Sequence, residues 1–265
     1  MVILITGIGS GFGKQMALRL SADGHKVYGT FRSASEFIPG VEYIRADVTD
    51  DEDCRRAVET VVIREGRIDV FINNAGMGIG GPLEFSSLDD ARRQMDVNWM
   101  GMVRCLHFVV PVMRKQRCGK IICFSSIGGL IGLPFQGLYS ASKFAIEGYC
   151  QALRLELMEF GVNVVVIEPG DFATNFTAKR KSVADPLAYQ TYKCYEASLK
   201  SIEKDESTGL KPEYLAKKIS RIVCKKRPAY SYIIATPLQK LSVLLKSILP
   251  ARWFALILRI YYKLI

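Results

Sequence analysis

Residues 2–13 read Val2-Ile-Leu-Ile-Thr6-Gly7-Ile-Gly9-Ser10-Gly11-Phe12-Gly13, a short apolar run that passes directly into a glycine-rich turn. A helix-like stretch with Met16, Ala17 and Leu20 follows. Strand, glycine turn and helix in this order are typical of a dinucleotide-binding unit. Glycines let the backbone approach a pyrophosphate, and the amide donors at the helix N-terminus point toward it. We therefore predict a nucleotide site at this turn.

The alternation of strand and helix continues along the chain. Strands are predicted at Val2–Ile5, Lys26–Phe31, Val41–Arg45, Asp69–Ile72, Lys120–Phe124, Asn163–Ile167 and Tyr230–Ala235. Helices are predicted at Asp50–Arg64, Asp90–Lys115 and Tyr139–Phe160. Near-continuous apolar strands separated by helices indicate a buried parallel sheet. The expected fold class is therefore α/β: a Rossmann-type, doubly wound parallel sheet with helices on both faces, plus a C-terminal amphipathic helical extension.

Length and composition fit a globular chain with a large core. The chain has 265 residues, of which 49% are hydrophobic. We expect a single dinucleotide-binding and catalytic domain over residues 1–236, with a substrate lid at about 175–210, and a basic amphipathic tail over 237–265. The seven cysteines are odd in number and form no C-x-x-C pair, so neither a disulfide framework nor a metal site is expected. With no signal peptide visible, the expected location is cytoplasmic.

Tyr139 and Lys143 are four residues apart, so on a helix they share one face. A phenol has an ordinary pKa of about 10, and a nearby ammonium favours the phenolate and lowers that value. A phenol with a tuned pKa suits general acid–base chemistry at a carbonyl or an alcohol. Ser126 precedes the pair at a fixed distance; Ser125 is its alternative, and the spacing to Tyr139 selects Ser126.

The end of the second strand bears on the choice of cofactor. A site for NAD usually places an acid there for the ribose 2′-hydroxyl. This strand ends Thr30-Phe31-Arg32-Ser33, and no acid follows until Glu36. A guanidinium at Arg32 can pair with a 2′-phosphate, which favours NADP(H) over NAD(H). The alternative is an arginine that is simply solvated in a loop.

Together these motifs resemble the short-chain dehydrogenase/reductase family, over roughly residues 1–175 and more loosely to about residue 236. The matching segments are the cofactor turn Thr6–Gly13, the adenine contact Asp47-Val48, the motif Asn73-Asn74-Ala75-Gly76 and the segment Pro169–Thr174 near the nicotinamide. The cofactor-binding residues that the resemblance implies are Thr6, Gly7, Gly9, Ser10, Gly11, Phe12, Gly13, Arg32, Asp47, Val48, Asn74, Ala75, Gly76, Tyr139, Lys143, Pro169, Gly170, Phe172 and Thr174.

The resemblance also implies a catalytic set made of Asn98, Ser126, Tyr139 and Lys143. Tyr139 would give a proton to a carbonyl oxygen during reduction, or remove one from an alcohol during oxidation. Lys143 would lower the pKa of Tyr139 and hold the nicotinamide ribose. Ser126 would orient the substrate oxygen and stabilise its developing charge. Asn98 would hold a water that links Lys143 to solvent.

Positive charge is concentrated in the last third of the chain. Residues 1–175 carry 18 Lys/Arg against 20 Asp/Glu, whereas residues 176–265 carry 18 against 6. Residues 237–265 hold five basic groups and no acid, among many leucine, isoleucine and aromatic residues. A basic amphipathic helix of this kind predicts a peripheral membrane surface. Packing on the enzyme's own substrate cleft or on a partner subunit is the alternative. No nucleic-acid motif accompanies the charge, so nucleic-acid binding is not expected.

The lid and tail loosely resemble those of hydroxysteroid and retinol dehydrogenases. We therefore expect an NADP(H)-dependent oxidoreductase that transfers a hydride between nicotinamide and a lipophilic ketone or secondary alcohol, of steroid, retinoid or keto-lipid type. One alternative is a reductase of a ketone intermediate in lipid or sphingoid-base synthesis. Another is a non-catalytic, membrane-associated NADPH-binding sensor or scaffold. By family analogy the two long helices pair subunits, which implies a homodimer or homotetramer.

Overall fold

Seven parallel strands form the centre of the molecule. The computed structural model describes residues 1–32 and 37–264, so Ser33 and Glu36 lie outside the described residues. The strands are β1 Val2–Ile5, β2 Lys26–Phe31, β3 Val41–Arg45, β4 Val70–Asn73, β5 Ile79–Gly80, β6 Gly119–Phe124, β7 Val162–Pro169, β8 Lys181–Ser182 and β9 Ser231–Ile234. The main sheet has the order β3-β2-β1-β4-β6-β7-β9, and β5 pairs with β8 separately. The order reverses between β1 and β4, which creates a crevice at the carboxyl ends of the strands.

Helices cover both faces of the sheet. They are α1 Gly11–Ala22, α2 Asp51–Glu65, α3 Leu88–Met95, α4 Gly101–Gln116, α5 Gly137–Leu157, α6 Phe176–Lys179, α7 Pro186–Thr191, α8 Tyr195–Ser207, α9 Pro212–Cys224, α10 Pro237–Ile248 and α11 Ala251–Tyr261. On one face Val58, Val109 and Ile146 of α2, α4 and α5 pack on the sheet. On the other face Leu20 of α1 and Ile219 of α9 do so. The predicted doubly wound α/β fold is confirmed.

The segment predicted as one helix at Asp90–Lys115 is divided. A π-helical turn at Asp96–Met100 separates α3 from α4. Within that turn Asn98 is buried, and its carboxamide accepts from Met77 N at 2.8 Å and donates to Met77 O at 3.0 Å. The chain is nevertheless helical throughout Leu88–Gln116, so the predicted long helix is present with one π-helical turn inside it. A widened turn of this kind is common at functional sites, because it aims a side chain out of the regular helical repeat.

The predicted lid region contains three helices, α6, α7 and α8, and the short strand β8. A buried ion pair between Arg180 and Glu206 links the end of α6 to α8. Thr177 donates a second hydrogen bond to the same carboxylate, through the other oxygen. The guanidinium is only 3% exposed, and this pair holds the two ends of the lid segment together.

The last two helices form a hairpin that follows β9; we call α10 and α11 together the C-terminal hairpin. Thr236 caps α10, with its hydroxyl accepting from Gln239 N while the Gln239 side chain accepts from Thr236 N. Pro250 separates the two helices. Among the helices of the described residues, none combines the length and apolarity needed to cross a membrane.

Lys120 joins the sheet to the end of α9. Its ammonium donates to the carbonyl oxygens of Ile222, Val223 and Lys225 at 3.0, 2.6 and 2.8 Å. We expect Lys120→Met to lower the free energy of unfolding by about 2 kcal/mol, because the methionine keeps the apolar stem and leaves buried carbonyls without a donor. Chemical denaturation measures this change. The exposed Lys115→Met is the control, and equal stability of the two variants would contradict the assignment.

Candidate active site

The glycine turn is held together by side chains at the ends of β1 and β4. The Thr6 hydroxyl accepts from the backbone N–H groups of Asn74 and Ala75, each at 3.0 Å. The Asn74 carboxamide donates to the carbonyl oxygens of Thr6 and Gly7 at 2.9 and 3.1 Å. At Gly13 an added Cβ would lie 2.1 Å from Gly7 O, so only glycine allows α1 to begin this close to the turn.

A single cavity of about 650 Å³ runs from this turn across the carboxyl ends of the strands. Of the predicted cofactor-binding and catalytic residues, those that line it are Gly7, Gly9, Ser10, Gly11, Phe12, Arg32, Asp47, Val48, Asn74, Ala75, Gly76, Ser126, Tyr139, Lys143, Pro169, Gly170, Phe172 and Thr174. Thr6, Gly13 and Asn98 lie behind the wall of the cavity and support it. The structure thus gathers the predicted catalytic and cofactor-binding residues around one cavity.

Tyr139 and Lys143 both lie on α5, and Ser126 follows β6 across the cavity. The Lys143 ammonium donates to Phe124 O at 2.7 Å and lies 5.6 Å from the centre of the Tyr139 ring. The Ser126 hydroxyl accepts from Gly128 N at 3.0 Å. Ser125, the alternative, is within 3.4 Å of Lys143 O and is more deeply buried. Both serines line the cavity, and Ser126 is the one whose side chain hydrogen-bonds to the Tyr139 phenol.

Burial dominates the protonation of this group. Desolvation raises the pKa of Tyr139 to about 12, against a hydrogen bond to Ser126 that favours the phenolate. Desolvation lowers the pKa of Lys143 to about 8, against the charges of Cys123 and Glu147. The expectation that Lys143 lowers the pKa of Tyr139 stays a prediction, because burial is the largest influence on that phenol. With a pKa of about 8, the Lys143 ammonium remains mostly protonated at neutral pH.

The Asn98 side chain is committed to other contacts. Besides its two bonds to Met77, its amide donates to the Ser142 hydroxyl at 2.9 Å, and Ser142 in turn donates to Tyr139 O at 2.7 Å. This chain of bonds positions the start of α5 relative to the loop after β4. Both N–H groups of the carboxamide are thus used, whereas Oδ1 accepts only one hydrogen bond, and the predicted water stays a prediction.

The cofactor end of the cavity suits a nicotinamide dinucleotide. Gly7 and Gly11 have φ values of +74° and +56°, which open the backbone beside the N-terminus of α1. Arg32 at the end of β2 is 67% exposed, and its guanidinium lies 3.8 Å from Asp47. Among the described residues no acid stands at the end of β2, as expected for a site that accepts a 2′-phosphate.

The far end of the cavity holds residues that the sequence analysis did not assign. They come from the loop after β7, from α8 and from the C-terminal hairpin, and include Asp171, Ile202, Asp205, Glu206, Leu245, Phe254, Leu258, Tyr261 and Tyr262. In the sequence, the available signal for the residues of the tail was the helical spacing of its apolar side chains. Packing on the substrate cleft was the alternative to membrane binding in the interpretation of that spacing. The contacts of the hairpin agree with that alternative.

Comparisons with known proteins place the chain among enzymes. Residues 1–185 match the family model described as short chain dehydrogenase. The 3-ketodihydrosphingosine reductase of Bacteroides thetaiotaomicron is 46% identical, over 99% of this chain and 98% of that protein. The 17-beta-hydroxysteroid dehydrogenase type 1 of Homo sapiens is 41% identical, over 67% of this chain and 58% of that protein.

Two further similarities extend beyond the nucleotide-binding half. The NADPH-dependent 3-dehydrocapnine reductase of Ornithobacterium rhinotracheale is 32% identical, over 88% of this chain and 87% of that protein. The crystal structure of a short-chain dehydrogenase from Streptomyces avermitilis superposes with a TM-score of 0.82 at 28% identity, over 93% of both chains. Retinol dehydrogenases are also among the relatives. This chain belongs to the short-chain dehydrogenase/reductase family, whose members are NAD(P)-dependent oxidoreductases acting on carbonyl and alcohol groups.

Proposed function

We propose that this protein is an NADP(H)-dependent reductase of a long-chain keto lipid of the sphingoid-base type. The observation that carries the proposal is the continuity of the cavity from Tyr139 to the apolar inner side of the C-terminal hairpin. The full-length similarity to a 3-ketodihydrosphingosine reductase includes this hairpin, whereas the hydroxysteroid dehydrogenase matches a smaller share of the chain. The sphingoid alternative is therefore favoured over the steroid or retinoid substrate.

The proposed mechanism assigns each side chain of the catalytic set a role. Ser126 and Tyr139 would bind the carbonyl oxygen, and the Tyr139 phenol, protonated at neutral pH because burial raises its pKa, would donate the proton. Lys143 would hold the ribose hydroxyls, and Asn98 would fix the loop that carries Met77. When bound, the dinucleotide supplies the hydride.

The cofactor preference rests on Arg32. Its guanidinium is largely exposed at the cavity mouth, where it can take a 2′-phosphate in a forked pair of hydrogen bonds. The relative from Ornithobacterium rhinotracheale is named as NADPH-dependent. NADP(H) is therefore proposed over NAD(H), with Thr6, Gly13 and the other cofactor residues predicted above forming the rest of the site.

The outer side of the C-terminal hairpin is proposed as a peripheral membrane surface of a cytoplasmic protein. Leu244, Ile248, Trp253 and Ile260 are each more than half exposed. The basic groups of the hairpin can pair with anionic lipid headgroups, at about 1 kcal/mol for each residue near the surface. Two further points stay predictions. One is the division of the chain into a domain at residues 1–236 and a tail, and the other is assembly into a homodimer or homotetramer.

We expect Tyr139→Phe to reduce turnover of a keto lipid by about 100-fold or more, since the proton donor is lost. Steady-state NADPH oxidation measures this loss, and NADPH binding followed by fluorescence shows that the fold is kept. Tyr149→Phe, on the same helix but outside the cavity, is the control. Turnover close to that of the unchanged protein would rule out the mechanism.

We expect Arg32→Ala to lower the ratio of kcat/KM for NADPH over NADH by about tenfold, the loss of roughly one charge-assisted pair. Arg45→Ala, at the end of the neighbouring strand β3, is the control. An unchanged ratio would show that Arg32 is only solvated and would remove the argument for NADP(H).

For the membrane surface, a variant with Trp253→Ser and Ile260→Ser should co-sediment less with anionic vesicles and keep its circular dichroism. These substitutions are preferable to deletion of the hairpin, because deletion would also remove a wall of the cavity. Ile63→Ser changes a still more exposed apolar residue on α2 and is the control. Undiminished co-sedimentation of the double variant would contradict the proposed surface.

A further inference from the structure

Three carboxylates meet where the catalytic group ends and the apolar part of the cavity begins. Asp171 follows β7, and Asp205 and Glu206 lie on α8. All three line the same cavity as Tyr139, and the charges of Asp171 and Glu206 act to raise the pKa of that phenol. Carboxylates beside an otherwise apolar wall need a structural or functional explanation, because burying a charge is costly unless it is paired.

Only one of the three has a cation of its own. Glu206 is paired with Arg180 and accepts a further bond from Thr177. Asp205 accepts from the Tyr261 phenol at 2.8 Å, and Asp171 accepts from the Gln239 amide at 2.5 Å. Both of these donors are neutral. In the part of the chain that the structure describes, no lysine or arginine forms an ion pair with Asp171 or Asp205.

The energetic cost of this arrangement is visible at Asp171. Burial, followed by the charges of Glu206 and Asp205, raises the pKa of its carboxyl to about 7. The site therefore carries more negative charge than its own residues balance. A ligand with a positive charge would relieve that imbalance on binding, and a neutral ligand would not.

A second observation at the same place also indicates a ligand. Tyr262 is only 8% exposed, lines the cavity, and feels the charges of Asp171 and Asp205. Its backbone carbonyl accepts from Ser198, but its phenol makes no hydrogen bond to any residue that the structure describes. The side chain is buried but its phenol oxygen keeps accessible surface on the cavity, so the oxygen is available to a group that enters the cavity.

The chemistry of such a ligand follows from these groups and from the walls. A primary ammonium has three N–H donors and needs acceptors, which two carboxylates and a phenol oxygen supply. Ile202, Phe254 and Leu258 provide apolar walls beside them, suited to an alkyl chain. Because the acidic groups line the same cavity as Tyr139, we expect the ammonium and the ketone in the same molecule.

We propose that Asp171, Asp205 and the Tyr262 phenol form a subsite for the ammonium of a long-chain α-amino ketone, beside the carbonyl that Tyr139 protonates. This proposal rests on the proposed function and specifies its substrate class. 3-Ketodihydrosphingosine and 3-dehydrocapnine, the compounds after which two relatives are named, both carry an amino group next to a ketone. Steroid ketones carry no such cation, so the subsite would select against them.

The test compares 3-ketodihydrosphingosine with its analogue that lacks the amino group, using the full chain and NADPH. The unchanged protein should show a kcat/KM about tenfold or more higher for the amino ketone, which corresponds to one charge-assisted contact. Asp205→Asn and Asp171→Asn should each lower that ratio about tenfold. Glu203→Gln, an exposed acid on the same helix α8, should leave the ratio as it is. A ratio near one in the unchanged protein, or one that neither Asn variant alters, would overturn the subsite and leave the reductase function standing.

A binding measurement separates failure of the subsite from failure of the function. If neither ketone is reduced, the proposed function falls, and equilibrium dialysis of dodecylamine against dodecanol then decides the subsite alone. The amine should bind about tenfold more tightly than the alcohol, and Asp205→Asn should remove that preference. Equal binding of the two probes would overturn the subsite. If the Asp171→Asn variant fails to fold, the Asp205→Asn variant is used alone for both the kinetic comparison and the binding measurement.

Discussion

The carboxamide of Asn74 is the contact on which the rest of the site depends. It donates to the carbonyl oxygens of Thr6 and Gly7, and so joins the ends of β1 and β4 at the point where the strand order reverses. Gly13 lets α1 start against this turn. Because all strands of the main sheet are parallel, their carboxyl ends lie along the same edge, and Tyr139 and the lid are placed relative to it. Losing this half-buried amide would remove the donor to both carbonyls, at a cost of about 1 kcal/mol each.

Burial then determines the chemistry that this edge can support. The same low dielectric raises the pKa of Tyr139 and lowers that of Lys143, so both shifts are toward the neutral form. A phenol that stays protonated is suited to donate a proton to a carbonyl oxygen, which is the direction of reduction. Desolvation acts in the same sense on Asp171, whose carboxyl is raised to a pKa of about 7. The acid and base properties of the site thus share one physical cause.

The C-terminal hairpin connects two features that the sequence presents as alternatives. Its inner side, with Phe254 and Tyr262 buried, forms a wall of the cavity. Its outer side leaves Trp253 and Ile260 exposed among basic residues. Packing on the substrate cleft and binding to a membrane are therefore compatible. The apolar residues of the inner side can pack on the cleft, while the apolar residues of the outer side remain free to contact a membrane. A lipid substrate would then meet the cavity wall and the proposed membrane surface on the same element.

The sequence by itself determined the strands, the glycine turn and the spacing of Tyr139 and Lys143, because each depends on the periodicity or spacing of residues that are close in the chain. Only the tertiary structure decided the π-helical turn around Asn98, whose carboxamide is satisfied by a residue 21 positions away. The same holds for the hydrogen bond between Asp205 and Tyr261, which are 56 positions apart. Contacts at such separations leave no local pattern, since they arise from how the lid and hairpin fold back over the sheet. The position of the acidic groups that line the cavity with Tyr139, and with it the proposed ammonium subsite, therefore came from the three-dimensional arrangement.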